Sequence, residues 1–312
     1  MFTKRFRRQA LAAAALASAI LPASAAHWAL TGDVGVHDPS ILQEGDRWFT
    51  FSTGEGLQVL AGDSTGRNWT RAPRLFLSPP SWWKTYVPNQ KANDVWAPDA
   101  HQFNGKVWVY YSISTFGSNT SAIGLVSANK VSDGRWTDNG LVLRSTSAND
   151  YNAIDPNLVV DASGNPWLAF GSFWSGLKIV RINPSTMKPT GSHTSIAKRS
   201  AGIEAPSIVY NNGWYYLFAS IDKCCQGVNS TYKIIYGRSR SITGPYLDKA
   251  GKGLLSGGGT VFDSGNARWK GPGGQDVGHG VIARHAYDAT DNGAPKLLIS
   301  DLKWTSDGWP TY

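Results

Sequence analysis

The amino-acid sequence predicts an all-β protein, a five-bladed β-propeller whose four-stranded antiparallel blades surround a central channel. The first observation is composition: 14 Trp, 12 Tyr, 11 Phe and 34 Gly against only 2 Met favour aromatic strands joined by tight turns over helices. The second is a phrase that recurs along the chain, in which a polar residue precedes a short apolar stretch, a turn and an aromatic strand. Repeated groups of short strands are typical of propeller blades.

The N-terminal segment, residues 1–25, has the features of a cleaved secretory signal peptide. Four basic residues precede an Ala/Leu-rich run that ends at the small-x-small sequence "ASA", residues 23–25. The run is too short and too interrupted for a membrane span. We therefore expect a secreted protein, periplasmic or extracellular, without membrane association after cleavage. Residues 26–312 contain no linker composition and are expected to form a single propeller domain.

The net charge of the chain and its distribution limit the classes of molecule that the protein can be expected to bind. The net charge of +8 falls to +4 without the N-terminal segment, because that segment carries four basic residues and no acidic ones. The remainder has no Lys/Arg run able to follow a phosphate backbone, which argues against nucleic acid as a partner. A monomer is the expected state.

Five copies of the recurring phrase can be aligned by the polar residue that opens each. These markers lie at intervals of 61, 56, 49 and 75 residues, and they are Asp38, Asp99, Asp155, Glu204 and His279. The first four copies continue into the aromatic strands "DRWFTF", "KVWVYYSI", "NPWLAF" and "GWYYLF", and the fifth, "GHGVIARHAY" with "PKLLISDL", is looser. Because blades repeat around an axis, the same end of every innermost strand faces the channel, so the markers are expected to converge there.

The tryptophans inside these strands are assigned to the core between blades. They are Trp48, Trp108, Trp167 and Trp214. Third strands such as "KIIYGRS" and fourth strands such as "WTDNGLVL" complete the copies.

Each acid has two interpretations when it is taken alone. An Asp before Pro is a common turn residue, and a single acid of this kind more often caps a turn than performs chemistry. Several acids in one register would repel one another at the channel mouth and shift each other's pKa values, a cost tolerated mainly at functional sites.

The two cysteines, Cys224 and Cys225, are adjacent. A disulfide framework needs spaced pairs, so the fold must rest on its hydrophobic core. The pair can form a vicinal disulfide or remain as two buried thiols, and the sequence leaves both open.

An ordered set of motifs resembles the family 43 glycoside hydrolases, and within them the endo-1,5-α-L-arabinanases. The resemblance runs from about Asp33 to the C-terminus. The motifs, in chain order, are "HDPSI", "WAPD", "NAIDPNLVVD", "GIEAPSIV", "CCQGVNSTYKIIYGRS", "GHG" and "DGWP".

The resemblance implies an inverting hydrolase on a five-bladed propeller. Asp38 is then the general base and Glu204 the general acid, and Asp155 orients the acid and raises its pKa. Inversion needs the acid and base carboxyls to be separated by roughly 6.5–9.5 Å, so that a water fits between base and sugar. The role implied for Asp99 is mainly structural.

The resemblance also implies one metal ion in the central channel, expected to be Ca²⁺, with a structural or electrostatic role. His279, between two glycines, is the expected protein ligand, although a lone His is more often structural. No organic cofactor is expected.

Residues near these motifs are candidates for binding sugar. Aromatic rings pack on the C–H faces of furanoses, which favours Trp96, Phe116 and Trp174. Asn152 and Ser172 are candidates for hydrogen bonds to sugar hydroxyls.

The expected function is cleavage of internal α-1,5-L-arabinofuranosidic bonds in arabinan, the polysaccharide of pectin side chains. One alternative is an exo-acting α-L-arabinofuranosidase or β-xylosidase of the same family. Another is a non-catalytic carbohydrate-binding propeller, which predicts aromatic and amide residues in every blade and no singular acid. The uneven series Asp, Asp, Asp, Glu, His favours an enzyme.

Overall fold

The computed structural model describes residues 27–312, so the signal peptide predicted for residues 1–25 lies outside the described residues. Five sheets succeed one another around a central channel, which confirms the predicted five-bladed β-propeller. No helix among the described residues has the length and apolar character needed to cross a membrane.

The strands follow the predicted order along the chain. Blades 1 and 2 are built from β1 (Thr31–Gly32), β2 (Ser40–Glu44), β3 (Arg47–Ser52), β4 (Gly54–Glu55), β5 (Gln58–Gly62), β6 (Asn68–Ala72), β7 (Asp94–Phe103), β8 (Lys106–Ile113), β9 (Ser121–Ala128) and β10 (Thr137–Ser145). Blade 3 contains β11 (Asn157–Val160), β12 (Pro166–Phe170), β13 (Leu177–Ile182) and β14 (Pro189–Ala197). Blade 4 contains β15 (Ile203–Asn211), β16 (Trp214–Ile221), β17 (Lys233–Ser239) and β18 (Thr260–Asp263). The remaining strands are β19 (Trp269–Gly278), β20 (Val281–Asp288), β21 (Ala294–Asp301), β22 (Lys303–Trp304) and β23 (Pro310–Thr311).

Helical segments are few and short. The α-helix α1 spans Trp82–Tyr86, and 3-10 turns span Val131–Asp133, Gly227–Asn229 and Leu254–Ser256.

The blades depart from four antiparallel strands in three places. Blades 3 and 4 match the prediction, with orders β11-β12-β13-β14 and β15-β16-β17-β18. Blade 1 adds the short strand β1, which pairs with β6 in parallel, and blade 2 adds β4 beside β7. Blade 5 has only β19, β20 and β21, and the hairpin β22–β23 follows it as a separate two-stranded sheet.

Alternation along each strand produces a hydrophobic core between every two neighbouring blades. In β2, for example, Ile41 packs toward blade 5 and Leu42 toward blade 2. Trp48 and Trp108 are buried in these cores, and Trp167 and Trp214 pack at their edges, as predicted. The innermost strands β2, β7, β11, β15 and β19 contact one another in order, and β19 returns to β2, so the circle is closed.

A ring of polar side chains inside the channel joins each blade to the next. Each of these buried side chains accepts a hydrogen bond from a backbone amide of the following blade, at 2.8–3.0 Å. We call them the channel ring: Ser40, Asp99, Asn157, Ser207 and Asp276. Because a buried amide without a partner is costly, the ring links all five blades.

Two residues before each member of the channel ring, the backbone turns through a positive φ of 36–55°. We call these the mouth positions: Asp38, Ala97, Asp155, Ala205 and Gly274. Four of them precede a proline, and their amides donate to side chains of the preceding blade, among them Thr53, Ser112, Ser220 and His285. Left-handed backbone is unfavourable for residues other than glycine, and these bonds hold it in place.

The mouth positions correct the alignment of markers made from sequence. Asp38 and Asp155 are equivalent, as predicted. Glu204 lies one residue before its mouth position, and Asp99 lies two residues after its own, within the channel ring. His279 lies five residues after Gly274, in the turn between β19 and β20, because the fifth blade has Gly-Gln where the others have X-Pro.

Candidate active site

A cleft with a volume of about 1030 Å³ opens at the mouth of the channel. That volume suffices for several sugar units, since pockets for small molecules commonly measure about 300–1,000 Å³. Asp38, Asp155 and Glu204 all line it, so the structure brings the three predicted carboxylates together from blades 1, 3 and 4.

Asp38 is held by two donors and a backbone contact. Its Oδ2 lies 2.8 Å from His37 Nδ1 and accepts a hydrogen bond from Thr53 Oγ1 at 2.7 Å. Its amide donates to His285 Nδ1 at 3.1 Å. Burial alone would raise the pKa of Asp38, but the charge and hydrogen bond of His37 outweigh it and hold this pKa well below its ordinary value. Asp38 is therefore an ionised carboxylate across the ordinary pH range.

His37 completes this arrangement from the other side. Its Nε2 lies 2.8 Å from Tyr287 Oη, and its ring stacks on His285 with centroids 3.8 Å apart. Burial lowers the pKa of His37, but the charge of Asp38 overcomes that effect and raises the pKa above its ordinary value.

Glu204 lies at the start of β15 and accepts two hydrogen bonds. Tyr232 Oη donates to Oε1 at 2.6 Å, and Ser172 Oγ donates to Oε2 at 2.8 Å. Burial raises the pKa of Glu204, the two hydrogen bonds oppose that rise, and the charge of Asp38 adds to it. The result is a carboxyl group that retains its proton to higher pH than an ordinary Glu.

Asp155 lines the same cleft. Its Oδ2 accepts the amide of Ala205 at 3.0 Å, the peptide group that directly follows Glu204. Its own amide donates to Ser112 Oγ. Burial, followed by the negative charges of Glu204 and Asp38, raises the pKa of Asp155 well above its ordinary value. The contact with Ala205 positions the backbone that carries Glu204.

The different surroundings of the three carboxyl groups assign the roles of proton acceptor and proton donor to different residues. A low pKa at Asp38 suits a group that accepts a proton from water, and a raised pKa at Glu204 suits a group that donates one. Such a pair can perform general acid–base catalysis.

All five residues predicted to bind sugar line the cleft. Phe116 is 89% exposed and Trp174 is 44% exposed, as expected of platforms for a ligand. The hydroxyl of Ser172 is engaged by Glu204, so its role includes the carboxyl group. Asn152 is buried and accepts a hydrogen bond from Ser121. Trp96 is partly buried, and its Nε1 donates to Asp94.

The structure does not bring His279 to the carboxylates. Its side chain is exposed in a hairpin turn, where Nε2 faces the Gln43 amide at 3.4 Å and the ring meets the edge of Trp48. Gln43 lies near the far end of β2, so His279 is at the opposite end of the channel from the cleft. The sequence interpretation took "GHG" as the start of the fifth blade, whereas that blade begins with β19, ten residues earlier than His279. The role of His279 as a metal ligand stays a prediction.

Asp99 also lies away from the cleft, in the channel ring. Its carboxylate accepts hydrogen bonds from Asn157 Nδ2 and the Leu158 amide. Burial, and then the charge of Asp276, raises its pKa well above the ordinary value. These contacts agree with the structural role that the resemblance implies.

Sequence reasoning assigned no role to His37 or Tyr232, each of which contacts a predicted catalytic carboxylate. His37 stands beside Asp38 in "HDPSI", and Tyr232 lies within "CCQGVNSTYKIIYGRS". The adjacent cysteines, Cys224 and Cys225, form a vicinal disulfide that lines the cleft, which decides the question that the sequence left open.

Comparison with known proteins gives consistent results. The family model described as glycosyl hydrolases family 43 matches residues 32–310. The extracellular endo-α-(1→5)-L-arabinanase 1 of Bacillus subtilis is 58% identical, over 98% of this chain and 96% of that protein. The extracellular exo-α-(1→5)-L-arabinofuranosidase ArbA of Cellvibrio japonicus is 42% identical, over 89% and 86%. The solved GH43 endo-arabinanase from Bacillus licheniformis has a TM-score of 0.89 and 60% identity, over 91% of this chain and 100% of that one.

The matched residues extend over nearly the whole described chain and include the mouth of the propeller with its three carboxylates. This chain belongs to family 43 of the glycosyl hydrolases.

Proposed function

We propose that this protein is an endo-acting hydrolase of the α-1,5-linked L-arabinofuranosidic bonds of arabinan. The observation that carries the proposal is the pair of opposed carboxyl environments in one cleft, which lower the pKa of Asp38 and raise the pKa of Glu204. The 58% identity to a protein named as an endo-arabinanase supports the choice of substrate.

In the proposed reaction, Glu204 donates its proton to the glycosidic oxygen as the bond from that oxygen to the anomeric carbon breaks. Asp38 removes a proton from a water molecule, whose oxygen forms the new bond on the opposite face of the sugar. The configuration at the anomeric carbon is thereby inverted. Solvent then returns a proton to Glu204 and removes one from Asp38.

The neighbouring residues prepare these two steps. Tyr232 and Ser172 fix both oxygens of Glu204, so that little reorganisation is needed when the proton leaves. Thr53 and His37 orient Asp38. The raised pKa of Asp155 and its bond to the Ala205 amide support the predicted role of orienting the acid.

The experiment that tests this function is digestion of linear, debranched α-1,5-arabinan, with reducing ends and product sizes followed from the first minutes. An endo-acting enzyme produces a mixture of oligomers early, whereas release of a single small product from the start would indicate exo action. The Glu204→Ala protein is the control, and its retention of hydrolysis would support a binding propeller instead. NMR of the first product determines whether configuration is inverted.

We further propose that the protein is secreted. The basic and Ala/Leu-rich segment at residues 1–25 and the two relatives named as extracellular support this. Cell fractionation and N-terminal sequencing of the exported protein test it.

We further propose that a cation in the channel is held by His285 and not by His279. Within residues 27–312, His285 Nε2 is a buried nitrogen without a hydrogen-bond partner. Nδ1 accepts the Asp38 amide at 3.1 Å, so in a neutral ring the proton is on Nε2. Binding of a cation at Nε2 would therefore require the ring proton to move to Nδ1, where Asp38 Oδ1 lies 3.5 Å away. A bound cation there would add positive charge beside Asp38 and favour its ionised form. Metal analysis of the native protein and of His285→Ala tests this assignment.

A further inference from the structure

The loop between β16 and β17, residues 222–232, forms one wall of the cleft and carries the vicinal disulfide. We call it the disulfide loop. Seven of its residues line the cleft: Asp222, Lys223, Cys224, Cys225, Gln226, Thr231 and Tyr232. Its last residue, Tyr232, is the hydrogen-bond donor to Glu204.

The disulfide itself lies beside His37, the residue next to the predicted general base Asp38. Cys224 Sγ lies 3.6 Å from His37 Nε2 and 3.4 Å from Tyr287 Oη, and Cys225 Sγ lies 3.8 Å from the same His37 nitrogen. Cys225 has a φ of 67°, and its amide donates to Tyr287 Oη at 2.9 Å. The two sulfurs therefore occupy a fixed position beside His37, the neighbour of Asp38.

Part of this disulfide remains open to the cleft. Cys224 is half-buried, but Cys225 is exposed. Elsewhere on the same wall the exposed or half-buried side chains that line the cleft are polar or charged, and the one aromatic ring, Tyr232, is buried. The exposed rings Phe116 and Trp174 belong to loops of blades 2 and 3. On the wall formed by blade 4, the sulfurs thus provide the apolar, polarisable surface.

We propose that the Cys224–Cys225 disulfide is a substrate-contacting surface, on which a furanose ring of arabinan packs its C–H face beside Asp38. A pentofuranose has a small apolar face, and two adjacent sulfurs offer a flat surface of matching size. The disulfide takes the place that an aromatic platform holds in the other walls. This inference rests on the proposed function.

The first test asks whether bound sugar covers the sulfurs, and it needs no change to the cysteines. The Glu204→Gln protein, which retains the loop but lacks the proton donor, is incubated with a phosphine reductant. Reduction of the disulfide is followed by alkylation and mass spectrometry, with and without linear α-1,5-arabinopentaose. At ten times its Kd the free fraction is about one eleventh, so reduction should slow about ten-fold. β-1,4-Xylopentaose is the control and should leave the rate unchanged.

The second test measures the contact through affinity. In the Glu204→Gln background, Cys224→Ala/Cys225→Ala should bind arabinopentaose about five-fold more weakly, the factor expected from losing on the order of 40 Å² of apolar contact. Asn229→Ala is the matched control from the same loop. Its exposed side chain does not line the cleft, so affinity should stay within about two-fold. Thermal unfolding establishes that each variant is folded.

The outcomes separate this inference from the function on which it rests. The proposed contact is wrong if arabinopentaose binds tightly but does not protect the disulfide from reduction. It is also wrong if the double variant binds arabinopentaose with unchanged affinity. Neither result contradicts the arabinanase function. Failure of the Glu204→Gln protein to bind arabinopentaose, together with no hydrolysis by the native protein, overturns both. Should the double variant not fold, the protection experiment alone decides.

Discussion

Replacing Tyr232 by Phe should extend activity to higher pH, because it removes one donor to the Glu204 carboxylate. The hydrogen bond is 2.6 Å long, and Tyr232 is only 2% exposed, so water does not replace the lost hydroxyl. A hydrogen bond to a charged group contributes about 1.5–3 kcal/mol, whereas one to a neutral group contributes about 0.5–1.5 kcal/mol. The difference of about 1–1.5 kcal/mol corresponds to a rise of about one pKa unit for Glu204.

The sign of the effect follows from the role of the group. A general acid must be protonated, so its pKa sets the basic limb of the plot of kcat/KM against pH. Loss of a donor that stabilises the carboxylate raises this pKa, and the basic limb should therefore move upward by about one pH unit. The assay is initial-rate hydrolysis of linear arabinan between about pH 4 and pH 10, a range that extends well above the ordinary Glu pKa of about 4.3 and so follows the basic limb.

The matched control is Tyr110→Phe, which removes a buried hydroxyl that donates to the Met187 carbonyl at 2.7 Å, away from the cleft. It should lower stability by about 1 kcal/mol and leave both limbs in place. An unmoved basic limb in Tyr232→Phe, with activity retained, would refute the assignment of Glu204 as the proton donor.

The remaining predictions concern single groups elsewhere in the site. Asp38→Asn should lower kcat/KM by about 10²–10⁴-fold with arabinopentaose binding retained, and a fully active variant would disprove the role of base. Asp99→Ala should lower the free energy of unfolding by about 2–3 kcal/mol in thermal or denaturant melts, because it leaves two buried donors unpaired; an unchanged melting temperature contradicts this. His279→Ala should leave activity and its response to chelator unchanged, whereas His285→Ala should abolish the response, and the reverse pattern would restore the original assignment. Phe116→Ala should raise KM with little change in kcat for arabinan, and a loss confined to kcat would argue against a sugar platform.

The fold was predictable because its signal is repeated. A polar residue and a short apolar stretch open the copies, and an aromatic second strand follows in each of the first four after a short turn. The weak point was the fifth blade, which lacks the X-Pro step and has three strands. With Gly274 at its mouth position, this blade has no side chain there to align with the other acids, and the sequence pattern indicates His279 instead.

Which residues meet at the cleft was predictable in part. Asp38, Asp155 and Glu204 belong to recurring motifs, and the structure brings them together. His37 and Tyr232 also stand within the motifs, but the contacts that define their roles are not visible in the sequence, because His37 meets Tyr287 from a distance of 250 residues in the chain. A register error of one or two residues also cannot be detected from sequence, since Asp, Ala and Gly all occur in turns. The true equivalence appeared only from the positive φ values.

The channel ring limits how the number of blades in this protein can vary during evolution. Each member accepts a hydrogen bond from an amide of the neighbouring blade, and each mouth position lies two residues earlier in the chain. Gain or loss of a whole blade would change the circumference of the channel and would place different residues next to each carboxylate. We therefore expect variation in chain length and specificity to occur in the loops that surround the cleft. The number of blades is expected to stay at five, because residues from several blades act together in one site.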